Sequence, residues 1–415
     1  MSALTDLFTS IANAIRTKKG TSGTIIASNF PSEIASIEEK TQWETSPIAP
    51  AGQTATGSSA VSWGLKKLPP MVIDNSTYLL SFVGLFRGLK KLTDISEVTL
   101  SFSTGNYSLE QAFAQCESIS GTEIHNFFSR NLIKPSSLSN AFSNTKFSSI
   151  DLTNLDVSNC TNFSSLFQNN TNLNSVDISN WRFESATALN GMFWKVGSAS
   201  ISLTGSGNYQ NSIAFTDICR ESGVTSATFK NFYISSPTYA FSSSTSITNI
   251  TFDNCTFANS GGTSSISGIC NGCTSLETID FGQNTTLALN FYNALNSAFK
   301  NCTNLTSITG SLNLSTLTNF TDVFTNCSSL EDVTFTGSYG SSFTAYQMAH
   351  NTNAKIDLST CTSLTHTSLM SLVNSLYDLA TAGLNTQDIV LGATNLAKLS
   401  QAEQDIITTK GWTLS

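Results

Sequence analysis

From residue 86 onward the chain repeats itself, and this repeat restricts the fold more than any other feature of its 415 residues. An apolar anchor, usually Phe, is followed three residues later by a small or apolar residue, often Cys. Leu, Ile or Val stands six residues after the anchor, and two more apolar residues follow at nine and eleven. Clear copies are AFKNCTNLTSI from Ala298, VFTNCSSLEDVTF from Val323, LFQNNTNLNSVDI from Leu166 and ICNGCTSLETIDF from Ile269. The anchors are Phe86, Phe113, Phe142, Phe167, Phe193, Ile218, Phe241, Cys270, Phe299, Phe324 and Met348, spaced 23 to 29 residues apart. The copies at Phe86 and Phe113 fit poorly at their ends.

The last apolar pair of each copy, such as Val176 with Ile178 or Ile279 with Phe281, alternates as a short strand does. One strand per repeat stacks on the next into a parallel sheet. The anchor is expected on the opposite wall, in a helical turn, with its ring filling the interior. Neither wall can bury its apolar side alone, so repeats are stable only when stacked. The period lies in the ~20–29 residue range of leucine-rich repeats. The expected fold class is therefore α/β: a leucine-rich-repeat solenoid with a parallel sheet on one face, a small helical N-terminal module and an α/β C-terminal cap.

The position three after the anchor holds Cys116, Cys273, Cys302 and Cys327, and elsewhere Thr145, Asn170, Val196 and Ser244. A stacked column of buried small side chains explains this better than a redox or metal ladder. Cys270 and Cys273 form a C-x-x-C, but no second pair at zinc spacing and no nearby His accompany it. No metal and no cofactor are expected.

Charged residues make up only 12% of the chain, whereas hydrophobic residues reach 40% and Phe occurs 27 times. That apolar content can build a core, although Ser, Thr and Asn are abundant. The net charge of −8 argues against nucleic acid, which needs a basic face. No run of about 20 apolar residues offers a membrane span, and MSALTDLFTSIANAIRTKKG lacks the apolar core of a secretion signal.

The run NLDVSNCTNFSSLFQNNTNLNSVDISNW, Asn154 to Trp181, resembles the BspA-like leucine-rich repeats of bacterial and mycoplasma surface proteins. Its carriers are the D-x-S phrase, the Leu-Phe anchor and the N-x-x-N-L or N-C-x-x-L turn. The resemblance covers roughly residues 80–360 and implies a leucine-rich-repeat fold and a role in adhesion.

The ends differ. Leu4, Leu7, Phe8, Ile11 and Ile15 recur at helical spacing and make an amphipathic helix. The phrase IANAIRTKKGTSGTIIASNFPSEIASI resembles a short N-terminal module of phage tail and other virion proteins, which implies docking to a particle. Residues 1–37 are thus read as an attachment module, 38–70 as a Pro/Gly/Ser/Thr linker, 71–361 as the solenoid and 362–415 as its cap. In the cap, Thr365 to Ala382 reads as a helix stopped by Gly383, with Leu369, Leu372, Val373, Leu376 and Leu379 on one face. Ile389-Val390-Leu391 reads as a strand, and Ser400 with Glu403 as a capping box opening a helix that stops at Gly411.

The residues show no catalytic set. His125, His350 and His366 are scattered, and neither a nucleophile elbow nor a phosphate loop occurs. Asp151, Asp177, Asp253 and Asp280 fall on the outward side of the strand wall as a ligand-facing strip, for a cation, a sugar or a glycosidase pair. Solvated polar residues alternating with the core explain them as well. Trp181, Trp194, Tyr209, Tyr233 and Tyr239 are weighed as contact surface against packing. The expectation is a non-enzymatic virion protein, tail or fibre associated and homo-oligomeric. It would join other virion proteins through its N-terminal module and meet a bacterial surface glycan or protein. A bacterial surface adhesin and a glycan-cleaving solenoid are the alternatives.

Overall fold

The computed structural model describes Ile11, Asn13 and residues 66–68, 71–74, 82–101, 107–207, 212–257, 265–282, 286–288, 294–343 and 354–415. They form a mixed α/β protein with few helices, and among the described residues every strand pairing is parallel. The chain packs as two units, Met1–Ala186 and Thr187–Ser415. Of the expected N-terminal helix, Leu4, Leu7, Phe8 and Ile15 lie outside the described residues, as do Met348 and most of the expected linker; Ile11 is helical and half-buried. At the linker's end, Leu68 is buried and its N–H donates to Asp94 O at 3.0 Å.

In the first unit β1 (Met71–Asp74) pairs with β2 (Val98–Ser101), and β3 (Tyr107–Ser108) with β4 (Pro135–Ser137). Likewise β5 (Ser149–Asp151) pairs in register with β6 (Ser175–Asp177). The Phe113 repeat departs from the pattern and puts helix α1 (Gly121–Arg130) against β2 and β5. The local reason is legible. Ser120 caps the helix by accepting from Glu123 N, and Ile124, Phe127 and Phe128 form one buried face. The polar groups of α1 and its C-cap also close a strand edge: Leu100 N donates to Asn131 Oδ1 at 2.6 Å, and Ile95 N to Glu123 Oε1 at 3.0 Å.

The second unit runs through β7 (Ser200–Thr204), β8 (Ile213–Ala214), β9 (Ser226–Lys230), β10 (Tyr233–Ser235) and β11 (Asn249–Asp253). It continues with β12 (Thr256–Phe257), β13 (Thr278–Asp280), β14 (Thr286–Ala288), β15 (Ser307–Asn313) and β16 (Asp332–Thr336). Strands β7, β9, β11, β13, β15 and β16 pair in that order, one per repeat, with β14 also on β15. A smaller sheet joins β8, β10 and β12. The chain ends with β17 (Ile356–Asp357), α2 (His366–Asn374), β18 (Gln387–Val390), α3 (Gly392–Leu396), α4 (Gln401–Thr409) and β19 (Trp412–Leu414). Here α2 lies on the outer edge of β16, where Val333 N and Phe335 N donate to Ser368 Oγ and Ser371 Oγ, both at 3.1 Å. Ser400 and Glu403 cap α4 reciprocally.

Inward side chains line up in register. Ile201, Ala227, Ile250, Ile279 and Ile308 form one buried row. Beside it the rings of Phe229, Phe252 and Phe281 stack at 5.5 and 5.4 Å. Anchor rings stack from repeat to repeat as well: Phe113 on Phe142 at 5.6 Å, Phe142 on Phe167 at 5.8 Å, and Phe299 on Phe324 at 5.4 Å.

The anchor wall is not the helical turn expected. Its backbone is left-handed two residues before and two after the anchors Phe86, Phe113, Phe142 and Phe299, at Gly84 and Gly88, Gln111 and Gln115, Asn140 and Asn144, Ser297 and Asn301. Between these twists the N–H groups turn toward the next repeat. Gln111 N, Phe113 N and Gln115 N donate to Ser139 O, Ala141 O and Ser143 O, and Ser297 N, Phe299 N and Asn301 N to Thr321 O, Val323 O and Thr325 O, at 2.8–3.1 Å. The wall opposite the sheet is thus a second hydrogen-bonded ladder. It also corrects one anchor. Asp217 and Glu221 are left-handed and Cys219 N donates to Ala240 O, so Cys219, not Ile218, occupies the sixth anchor position.

Exposed Ser243 sits in this left-handed conformation at φ 61°, with its N–H bonded to Asn271 O. A β-branched side chain there should cost about 1–2 kcal/mol, and glycine almost nothing. Urea titration should therefore show Ser243→Val well below, and Ser243→Gly close to, the native midpoint; equal midpoints would refute the assignment.

Candidate functional site

The outward residues of the second unit's sheet are small and polar, and they too stand in register. Ser200, Ser226, Asn249, Thr278, Ser307 and Asp332 make one row. Ser202, Thr228, Thr251, Asp280 and Thr309 make the next. All are exposed or half-buried, in line with the strand period that buries their neighbours. Thr278 Oγ1 donates to Asn249 Oδ1 at 2.7 Å across two strands. The result is a broad face of hydroxyl and amide groups.

Of the four expected acidic residues, Asp151 and Asp177 are register partners on β5 and β6. Asp253 pairs with Lys230, Nζ to Oδ2 at 2.8 Å. Asp280 stands between Thr251 and Thr309. Three of them have a local job. Asp151 Oδ1 accepts from Thr153 N and Oγ1 at 2.9 and 2.6 Å, Asp177 Oδ1 from Ser179 N and Oγ at 3.1 and 2.8 Å, and Asp280 Oδ1 from Gly282 N at 2.7 Å. Asp94, Asp156 and Asp357 do the same with Ser96, Ser158 and Ser359. The recurring D-x-S phrase is thus an Asx turn that bends the chain at the end of a strand or within the following loop. The Thr153 donors, hydroxyl first, hold the Asp151 carboxyl below its usual range, and Lys134 with Ser158 holds Asp156 at about 2.

Two partners went unread in the sequence. His125, on α1, has Nδ1 3.1 Å from Asp151 O and 3.4 Å from its Oδ2. Ser129, one turn on, receives Asn154 Nδ2 at 2.7 Å rather than facing the imidazole. His366 instead lies 2.9 Å from Glu403 Oε1. Trp181 is buried with its Nε1 donated to Leu152 O at 3.2 Å, whereas Tyr239 is exposed and stacks near Arg220, 5.8 Å away.

The thiol column has a second purpose beyond packing. Each thiol three residues after an anchor donates to the carbonyl of the preceding anchor: Cys116 to Phe86 O, Cys273 to Phe241 O, Cys302 to Cys270 O and Cys327 to Phe299 O, at 2.9–3.0 Å. Asn170 Nδ2 does so to Phe142 O at 2.7 Å and Ser244 Oγ to Cys219 O at 2.5 Å. Small donors, Cys, Asn and Ser, thus exchange at these positions, whereas Thr145 donates to its own anchor at Phe142 O and Val196 fills the slot without a donor. All nine thiols are free and buried. Burial pushes Cys116, Cys160, Cys255 and Cys361 up to about 12, and Cys219, Cys270, Cys302 and Cys327 up as well. Among the described residues no group of His, Cys, Asp and Glu could hold a metal ion, and no helix is long and apolar enough to cross a membrane.

The family described as "Mycoplasma protein of unknown function, DUF285" matches residues 107–231. No curated protein matches the chain. Among solved structures, a leucine-rich repeat protein from Bacteroides ovatus is similar at 13% identity and a TM-score of 0.25, over 89% of this chain and 99% of that one. A leucine-rich cell surface protein from Faecalibacterium prausnitzii is similar at 14% identity and a TM-score of 0.23, over 64% of this chain and 70% of that one. The one location these comparisons name is the cell surface of the Faecalibacterium protein and none of them names a virion, so the expected virion location has no support and is withdrawn. At these TM-scores neither structure bears on how the chain is built, which rests on its own strand register.

Two outcomes follow. An aromatic disulfide reagent at neutral pH should modify none of the nine thiols in the folded protein and all of them in guanidinium; rapid labelling of the native state would contradict the burial. The depressed Asp151 and Asp156 pKa values add stability above the ordinary carboxylate pKa of ~4, which is lost as pH falls through the folded values. Between pH ~4 and ~2, Asp156→Asn should therefore flatten the fall in thermal midpoint, and an unchanged slope would refute it.

Proposed function

We propose that this chain is a bacterial cell-surface repeat protein, folded as a leucine-rich-repeat solenoid, that binds partners through its outward strand face and catalyses nothing. The observation that carries the reading is the register of that face. Parallel pairing brings Ser, Thr, Asn and Asp from successive repeats into straight rows, while the apolar residues of the same strands all point inward. A repeated, polar, extended face suits contact with a large partner, because many modest hydrogen bonds add over area. Catalysis wants the opposite, a few perturbed groups converging on one point. The acidic residues singled out in the sequence are occupied by Asx turns and one ion pair. The resemblance of the repeats to BspA-like surface proteins supports the same reading.

The test is location together with contact. Antibody against the second unit should label intact, unpermeabilised cells of the producing bacterium, and beads coated with the chain should adhere to a host-cell layer. Placing Lys at Thr228 and Glu at its register partner Thr251, in the middle of the outward rows, should reduce bead adhesion several-fold with a near-native thermal midpoint, since the opposite charges pair with each other while their bulk removes the hydroxyls that meet the partner. Labelling only after permeabilisation, or adhesion untouched by both substitutions, would sink the reading.

A further inference from the structure

In the first unit the loops that follow β5 and β6 run side by side. Residues 153–158 and 180–184 enclose a groove of about 260 Å³ between them. The loops occupy equivalent positions one repeat apart, so Asn154 matches Asn180, Asp156 matches Arg182 and Ser158 matches Glu184. At three positions the repeat keeps one residue type or shape: Asp151 and Asp177, Thr153 and Ser179, Asn154 and Asn180. Past that point it diverges into opposite charges.

The groove is polar at its rim and apolar beneath. Asp156, Asn180, Arg182 and Glu184 are exposed, whereas Leu155, Trp181 and Phe183 are buried. The Trp181 indole is fixed by Leu152 O and by ring contacts with Phe163 and Phe183 at 5.6 and 6.0 Å. The rim is braced as well. Asn180 Nδ2 donates to Thr153 O at 2.5 Å and Ser185 Oγ to Ser158 O at 2.6 Å, which tie one loop to the other. Arg182 Nη1 donates to Ser179 O and Trp181 O at 3.0 and 2.9 Å, which holds the guanidinium in place.

Charge at the groove balances. Asp156 is matched by Lys134, 2.7 Å away, and Arg182 offsets Glu184. A net-neutral ligand is therefore favoured over an anion or an ammonium group. Among the lining side chains, the Oδ1 of Asn154 is buried without a partner, while its Nδ2 is spent on His125 O and Ser129 Oγ. Asn154 is thus committed to the scaffold of the loops, and the polar side chains open to a ligand are Asp156, Asn180, Arg182 and Glu184. The volume falls below the ~300–1,000 Å³ of pockets for drug-sized molecules, so one small ring is the right size.

We propose that this groove is a subsite for one neutral hexose residue of a surface glycan. A pyranose offers hydroxyl donors for Asp156 and Glu184, hydroxyl acceptors for Arg182, and a C–H face for the apolar floor. The proposal deepens the contact-protein reading and rests on it for the source of the sugar.

Saturation-transfer NMR on the full chain, with methyl glucoside, galactoside and mannoside as probes, tests the assignment. Transfer to at least one glycoside is expected. The double variant Arg182→Ala with Glu184→Ala should weaken it about tenfold or more, because both are charge-assisted hydrogen-bond partners. Lys230→Ala in the second unit should leave it unchanged, and thermal midpoints show whether each variant is folded. A folded Arg182→Leu variant, which keeps bulk but no donor, should also lose binding. No transfer from any glycoside, equal transfer in the folded double variant, or binding of lysine methyl ester in place of the glycosides would overturn the subsite. The two readings fail separately. Glycoside binding lost with surface labelling intact removes the groove alone, and glycoside binding without surface labelling removes the location alone.

Discussion

Hydrogen bonding from one repeat to the next is the constraint on which the rest of the structure depends. It runs along two walls. On one, parallel strands pair in register; on the other, left-handed twists around anchors such as Phe113 and Phe299 aim three N–H groups at the following repeat. A lone repeat would leave these donors and acceptors to water and its rings exposed, so the ladder and the core form together or not at all. Left-handed backbone at Asn140, Asn144, Asn301 and Asn326 carries an intrinsic cost that the bonds it permits offset.

The interior shows how this constraint chooses residues. Identical register stacks like on like, so flat rings fill the column at Phe113, Phe142 and Phe167, and again at Phe299 and Phe324. In six repeats the side chain three residues past the anchor donates to the preceding anchor's carbonyl, a buried acceptor that needs a partner. Cys meets that need while remaining nearly apolar, which accounts for the thiols of Cys116, Cys273, Cys302 and Cys327. Where a repeat must stop or change, helices take over. Polar side chains at α1 and its C-cap and on α2 reach the strand edges and satisfy N–H groups that another strand would have met.

The same register determines what faces outward. Period-two alternation leaves the outer rows polar, and the Asx turns at Asp151 and Asp177 bend the chain away from the strand into the loops that carry the proposed groove. The contact face and the groove therefore differ in kind. One is built from sameness between repeats, the other from the point where two repeats diverge, Asp156 against Arg182 and Ser158 against Glu184.

Much of this was legible in the residues alone. The spacing of Phe142, Phe167, Phe299 and Phe324, the alternation at Ile279 and Phe281, and the capping box at Ser400 and Glu403 are local or periodic signals, and each reports a backbone preference or a buried face directly. What only the tertiary structure decided depends on neighbours a full repeat away. These include the left-handed wall in place of helical turns, Cys219 rather than Ile218 as an anchor, α1 in place of a strand, and Asp151 beside both Asp177 and His125. Sequence records which side chains a residue has beside it along the chain. A hydrogen bond that spans some 25 positions is set by which repeat lies on which, and that becomes visible only once the repeats are stacked.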